Sequence, residues 1–86
     1  MRVLLSDLAE EQLAALPVVA AHRVAAALRA LAVAPRSGRA FPLRSQFAGA
    51  RFLVVRIRRR WSYRVIYEFS GREVWVRAIA PSWFAS

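Results

Sequence analysis

Apolar positions recur every three or four residues in the first third of the chain and every second residue in the last third. The change of period marks a helical part followed by a sheet. Before the helices, Arg2-Val3-Leu4-Leu5 is a short apolar run that reads as a strand. Ser6 then stands where an N-cap belongs, and Asp7, Glu10 and Glu11 in the next turn favour the positive end of a helix dipole. Leu8, Leu13 and Leu16 give this first helix an apolar side, and Pro17 interrupts it. A second helix is predicted over residues 18–33. Val24, Leu28 and Leu31 follow the i, i+4, i+7 spacing, with His22 and Arg29 on the opposite side. Its many alanines allow close approach to a sheet. Pro35 and Arg36-Ser37-Gly38-Arg39 end it. Residues 36–50, punctuated by Gly38, Pro42 and Gly49, read as a loop.

Three strands are predicted next, and alternation assigns their faces. Over residues 51–59, Leu53, Val55 and Ile57 share one side, and Phe52, Val54, Arg56 and Arg58 the other. Over 62–69, Tyr63, Val65, Tyr67 and Phe69 oppose Arg64, Ile66 and Glu68. Over 73–80, Val74, Val76 and Ala78 oppose Trp75, Arg77 and Ile79. The wholly apolar set in each strand is the core side, because strand side chains alternate. Ser70-Gly71-Arg72-Glu73 suits a two-residue hairpin with Gly71 at the first central position of a type II′ turn. That register pairs Val65 with Ala78, Ile66 with Arg77 and Arg64 with Ile79. The earlier hairpin needs an odd loop of three or five residues around Arg60-Trp61-Ser62 to match core faces, and it contains no Gly. The expected fold is α+β: an N-terminal strand, a helical hairpin, and a three-stranded antiparallel meander completing a small sheet with helices on one face. A single domain over 1–86 holds it, with no internal repeat.

The face opposite the helices is unusual. It carries Arg56, Arg58, Arg64 and Arg77 among Phe52, Val54, Ile66, Trp75 and Ile79. That set is too apolar for an ordinary solvated surface and too cationic for a second core. Guanidinium groups bind phosphate bidentately, and aromatic rings stack on unpaired bases.

Composition sharpens this. The chain has 86 residues, 58% of them apolar, and no cysteine. Disulfides and thiolate metal sites are therefore excluded, and a reducing cytoplasm is expected. The first apolar run is short and soon followed by acids, so a signal peptide is not expected. The region from Leu13 to Ala34 is broken by Pro17, His22, Arg23 and Arg29, and a membrane span needs about 20 apolar residues. Net charge is +9, and all fourteen cations are Arg. Arg over Lys is what GC-rich coding produces, but the imbalance of sign has another cause. Eleven of the Arg lie between Arg36 and Arg77, with only Glu68 and Glu73 against them. Such a surface attracts nucleic acid or an acidic protein.

The same residues carry a family resemblance. Ala26-Leu28-Leu31 followed by Pro35, Leu43 in the loop, Arg56-Ile57-Arg58, and then Tyr63-Arg64-Val65-Ile66-Tyr67-Glu68 resemble the RelE/ParE superfamily of type II toxins. The likeness covers nearly the whole chain and is closer to the RelE-like branch. It implies a toxin held inactive by a cognate antitoxin, expected to be acidic. RelE-like members cut mRNA in the ribosomal A site without metal, and ParE-like members poison DNA gyrase. In the RelE-like reading, Arg64 matches the strand arginine that contacts the scissile phosphate, and Arg56 and Arg58 match basic positions on the preceding strand. Two departures stand out. Val54 occupies a position that is usually basic. Ala80-Pro81-Ser82-Trp83-Phe84 replaces a segment that carries a further basic residue and a Tyr, which leaves open cleavage by a reduced set, a different target such as gyrase, or a catalytically decayed toxin that only binds its antitoxin.

RNA cleavage by 2′-OH attack needs a base, an acid and stabilisation of phosphate charge. Arg supplies the last and, staying protonated, supplies the others poorly. Glu68 is a candidate base, or a carboxylate that only neutralises neighbouring arginines. His22 reads as a surface residue. One His, five scattered acids and no Cys offer no metal-ligand spacing, so neither metal nor cofactor is expected. Ser62 and Ser82 lack a base. Tyr63, Tyr67 and Phe69 read as core. Trp75 on the open face and Trp61 in the hairpin tip are candidates for stacking. Arg58-Arg59-Arg60 is either a solvated turn or part of a nucleic-acid contact with Arg56, Arg64, Arg77 and Trp75. The partners expected are the antitoxin together with the ribosome and mRNA, or DNA gyrase in the alternative.

Overall fold

The computed structural model describes residues 1–82, so Trp83 and Phe84 lie outside the described residues. Strand β1 (Arg2–Leu5) leads into α1 (Asp7–Ala14) and α2 (Val18–Val33). A 3-10 turn at Pro35–Ser37 follows, then β2 (Arg39–Ala40), β3 (Arg51–Arg58), β4 (Trp61–Ser70) and β5 (Glu73–Pro81). The sheet order is β1-β5-β4-β3-β2, with β1 parallel to β5 and the other neighbours antiparallel. The fold is the expected α+β one. It has one strand more than the three-stranded meander and β1 provide, because Arg39 and Ala40 pair with Phe52 and Arg51 inside what reads as a loop.

The helices lie where their patterns place them. Ser6 caps α1: its Oγ accepts from Ala9 N at 3.1 Å and donates to Arg77 O at 2.9 Å. That second bond ties the helix to β5. Gln12 does the same further along, its Oε1 accepting from Ile79 N at 2.6 Å where β1 no longer reaches. From α2, Val24, Leu28 and Leu31 are buried against Val55, Ile57, Tyr63, Val65, Tyr67, Val74 and Val76. His22 and Arg29 are exposed. No helix among the described residues is long and apolar enough to cross a membrane.

Two β-bulges correct the expected registers. At the first hairpin, Arg56 pairs with Ser62 and Arg58 with Trp61, so Ile57 is the extra residue. A two-residue loop, Arg59-Arg60, plus this bulge does what an odd loop was expected to do. Arg60 takes the left-handed conformation, with φ of 67°, that a Gly would usually supply. Trp61 is consequently the first residue of β4 rather than a free tip. It packs against the core and donates from Nε1 to Tyr63 Oη at 3.1 Å. In the second hairpin Ser70 pairs with Glu73, and Gly71 alone of its two loop residues has positive φ, as a type II′ turn requires. Tyr67 faces Val76 as expected, but Ile66 faces Ala78 and Val65 faces Ile79. Arg77 is the bulged residue. Ile79 therefore turns into the core, 2% exposed, and Ala78 leaves it. The exchange buries the larger apolar side chain, and strict alternation does not foresee it.

The open face is also partly roofed. The ring of Phe41 lies 4.9 Å from that of Phe52 and 5.2 Å from that of Phe47. Phe47, Ala48 and Ala50 approach Ile66 and Ala78 across a cavity. The chain thus covers much of its own apolar patch, leaving Val54 and Trp75 as the exposed apolar side chains of that sheet face.

Candidate anion-binding face

The roof divides the predicted site in two. On the β3 side a groove of about 380 Å³ is lined by Ser37, Gly38, Arg39, Phe52, Leu53, Val54, Arg56 and Arg64. Cross-strand pairing explains the grouping: Arg39 stands opposite Phe52, and Arg64 opposite Val54. Arg56 is two residues further along β3, with its side chain exposed. Its carbonyl accepts from Arg23 Nη1 at 3.4 Å. No acidic residue is among those lining the groove.

Arg64 is the most constrained cation of the set. Its guanidinium carbon lies 4.7 Å from the centroid of Phe52, a cation–π contact that holds it flat over the ring. Its Nε is buried without a hydrogen-bond acceptor. That nitrogen is closed to solvent, so the guanidinium meets the groove through its terminal nitrogens. Phe52 is occupied by Arg64 and Phe41, so its function here is to seat the arginine rather than to stack on a base.

The remaining predicted residues fall elsewhere. Arg77 pairs with Glu68, with Nη2 2.8 Å and Nε 2.9 Å from Oε2, and its guanidinium carbon is 5.8 Å from the Trp75 ring. Glu68, Arg77 and Trp75 form a separate cluster over β4 and β5. Glu68 and Arg77 line the cavity under the roof, not the groove of Arg64. Glu68 thus behaves as the neutralising carboxylate. Arg58, Arg59 and Arg60 are exposed at the hairpin end and do not line the groove. Tyr63 and Tyr67 are core residues, 6% and 0% exposed. Ser62 and Ser82 hydrogen-bond to each other. Arg39 was missed by sequence reasoning, because only the pairing of β2 with β3 brings it to this face. The one available signal was its place directly after Gly38, at the end of a helix-breaking segment.

The model of one protein family, the ParE toxin of the parDE type II toxin–antitoxin system, matches residues 3–82. The chain belongs to this family. The match spans both helices and all five strands, and the family lies within the superfamily that the YRVIYE strand resembles. No curated protein and no solved structure is significantly similar to the chain. As a ParE-family toxin it has an antitoxin for a partner. The groove of this toxin presents two cationic side chains, Arg64 and Arg56, beside Arg39, a lining chemically suited to an anion. Among the described residues lining it, none has a side chain suited to exchanging a proton near neutral pH.

Proposed function

We propose that this type II toxin holds the phosphodiester backbone of mRNA in the groove of Arg64 and Arg56, and acts as a ribosome-dependent endoribonuclease in the cytoplasm. One observation carries the reading: Arg64 is seated over Phe52 beside a second arginine, Arg56, with no carboxylate among the described residues that line the groove. In a 2′-OH attack, the new O–P bond forms as the 5′-oxygen bond breaks, and negative charge grows on the non-bridging phosphate oxygens. A preorganised guanidinium stabilises that charge where it develops. The proton donor and acceptor are then supplied by the ribosome or by the RNA itself.

A second reading has its own support. The described residues that line the groove include no histidine, tyrosine or carboxylate, and a toxin that inhibits DNA gyrase by binding needs none. In both readings the antitoxin is an acidic, partly disordered chain that covers basic and apolar surface together.

Induction of wild type and Arg64→Ala in a bacterial host separates the two. Under the endonuclease reading, growth stops with mRNA cut inside codons, and the substitution lowers cleavage about 10²–10³-fold, the usual effect of deleting one charge-stabilising donor. Arrest with intact mRNA and trapped gyrase–DNA complexes moves the assignment to gyrase. Antitoxin binding by the variant, measured alongside, shows that it is folded.

A further inference from the structure

The segment between α2 and β2 is held more firmly than a connection requires. Tyr67 Oη, on a wholly buried side chain of β4, donates to Pro35 O at 2.6 Å and accepts from Gly38 N at 3.0 Å. Arg51 Nη1 donates to Gly38 O at 2.7 Å and reaches Arg36 O at 3.5 Å. Gly38 itself has no space for a side chain, since a Cβ would lie 2.5 Å from Tyr67 Oη and 2.7 Å from Phe52 O. The residue delivered by this clamp is Arg39. It is exposed and lines the groove, and its guanidinium has no hydrogen-bond or ion-pair partner among the described residues.

We propose that Arg39 is a third phosphate contact of the groove, and that Tyr67 is its positioning residue. The proposal rests on reading the groove as a site for nucleic-acid phosphate. Pairing sets the spacing. Arg39 is level with Phe52, Arg64 with Val54, and Arg56 follows on β3 itself. Each step is two residues, about 7 Å along the strand direction. The Arg64 guanidinium leans back over Phe52, toward the level of Arg39, so the three side chains reach one groove from three neighbouring strands. A phosphate backbone running along the groove can meet all three.

The test uses a short single-stranded RNA as probe, with affinity measured by fluorescence anisotropy over a salt series. Removing one phosphate contact to single-stranded nucleic acid reduces the slope of log K against log salt by about 0.7. Arg39→Ala is expected to weaken binding and lower the slope by that amount, as Arg64→Ala does. Tyr67→Phe deletes both hydroxyl bonds. It is expected to weaken binding in the wild-type background and to have no further effect in the Arg39→Ala background. A purely structural Tyr67 would weaken both backgrounds equally, which overturns its positioning role. An unchanged slope for Arg39→Ala, with a reduced one for Arg64→Ala, overturns the third contact and leaves the endonuclease reading standing. Absence of RNA binding by the wild type overturns the third contact, and the mRNA pattern on induction then decides the endonuclease reading separately. Should Tyr67→Phe fail to fold, the Arg39→Ala slope still decides the contact.

Discussion

Gly38 shows how much one missing side chain governs in this fold. Its φ of −77° is open to any residue, so backbone freedom is not the reason for glycine. The reason is space, because the backbone of the 35–38 segment lies directly against the Tyr67 hydroxyl and the Phe52 carbonyl. Gly38→Ala must move one of these, and both are anchored inside the sheet. Overpacking of this kind typically costs about 1–3 kcal/mol. The expected result is a lower denaturant midpoint with an unchanged m-value, read from urea unfolding. A midpoint equal to wild type would mean that the segment yields freely, and that the clamp is weaker than its hydrogen bonds suggest. The same local logic sorts the charged residues. Arg51 bonds two carbonyls of this segment and serves the fold, whereas Arg64 lies over Phe52 and lines the groove proposed as the phosphate site.

At the scale of elements, β5 changes partners part-way along. Its first half is flanked by β1, and beyond Val76 the bulge at Arg77 turns Ile79 inward toward α1. Gln12 takes over there by accepting the Ile79 N–H. Gln12→Ala leaves that donor part-buried and unpaired, at an expected cost of about 1–3 kcal/mol. Hydrogen exchange should localise the loss to the end of β5, and protection there equal to wild type would refute the assignment. This junction also marks the limit of what the sequence could reveal. The i, i+4, i+7 spacing placed α2, and alternation placed the faces of β3 and β4, because each pattern repeats over many residues. The bulges at Ile57 and Arg77 carry no such repeat. The first puts an arginine where a glycine signal would be, and the second is decided by whether Ile79 or Ala78 fills the core. Strand β2 is two residues long and exists only through its pairing with β3. No repeating pattern therefore brought Arg39 to this face, while Arg56 and Arg64 followed from parity alone. Glu68 was placed on the correct face, but its partner Arg77 removes it from the groove.

For the whole molecule, charge and apolar surface are distributed differently, and the antitoxin contact proposed above spans both. The positive charge of +9 is concentrated in the sheet and its loops. A second, largely apolar groove lies between β1 and α2, lined by Met1, Val3, Leu5, Leu28, Arg29 and Ala32. An acidic antitoxin that spans the two gains one salt-sensitive and one salt-insensitive contribution. Coulomb attraction between exposed groups is screened as the Debye length shrinks from roughly 10 Å at 0.1 M salt to roughly 3 Å at 1 M. Apolar burial is not weakened by salt in this way. The antitoxin's affinity is thus expected to fall with salt along a shallower line than that for single-stranded RNA, which releases counterions from every phosphate contacted. Titration calorimetry of both ligands over one salt series measures the two slopes. Equal slopes would place the antitoxin wholly on the arginine face, in direct competition with nucleic acid. A flat line for the antitoxin would seat it on the apolar groove alone, so that inhibition without blocking Arg64 would need another explanation.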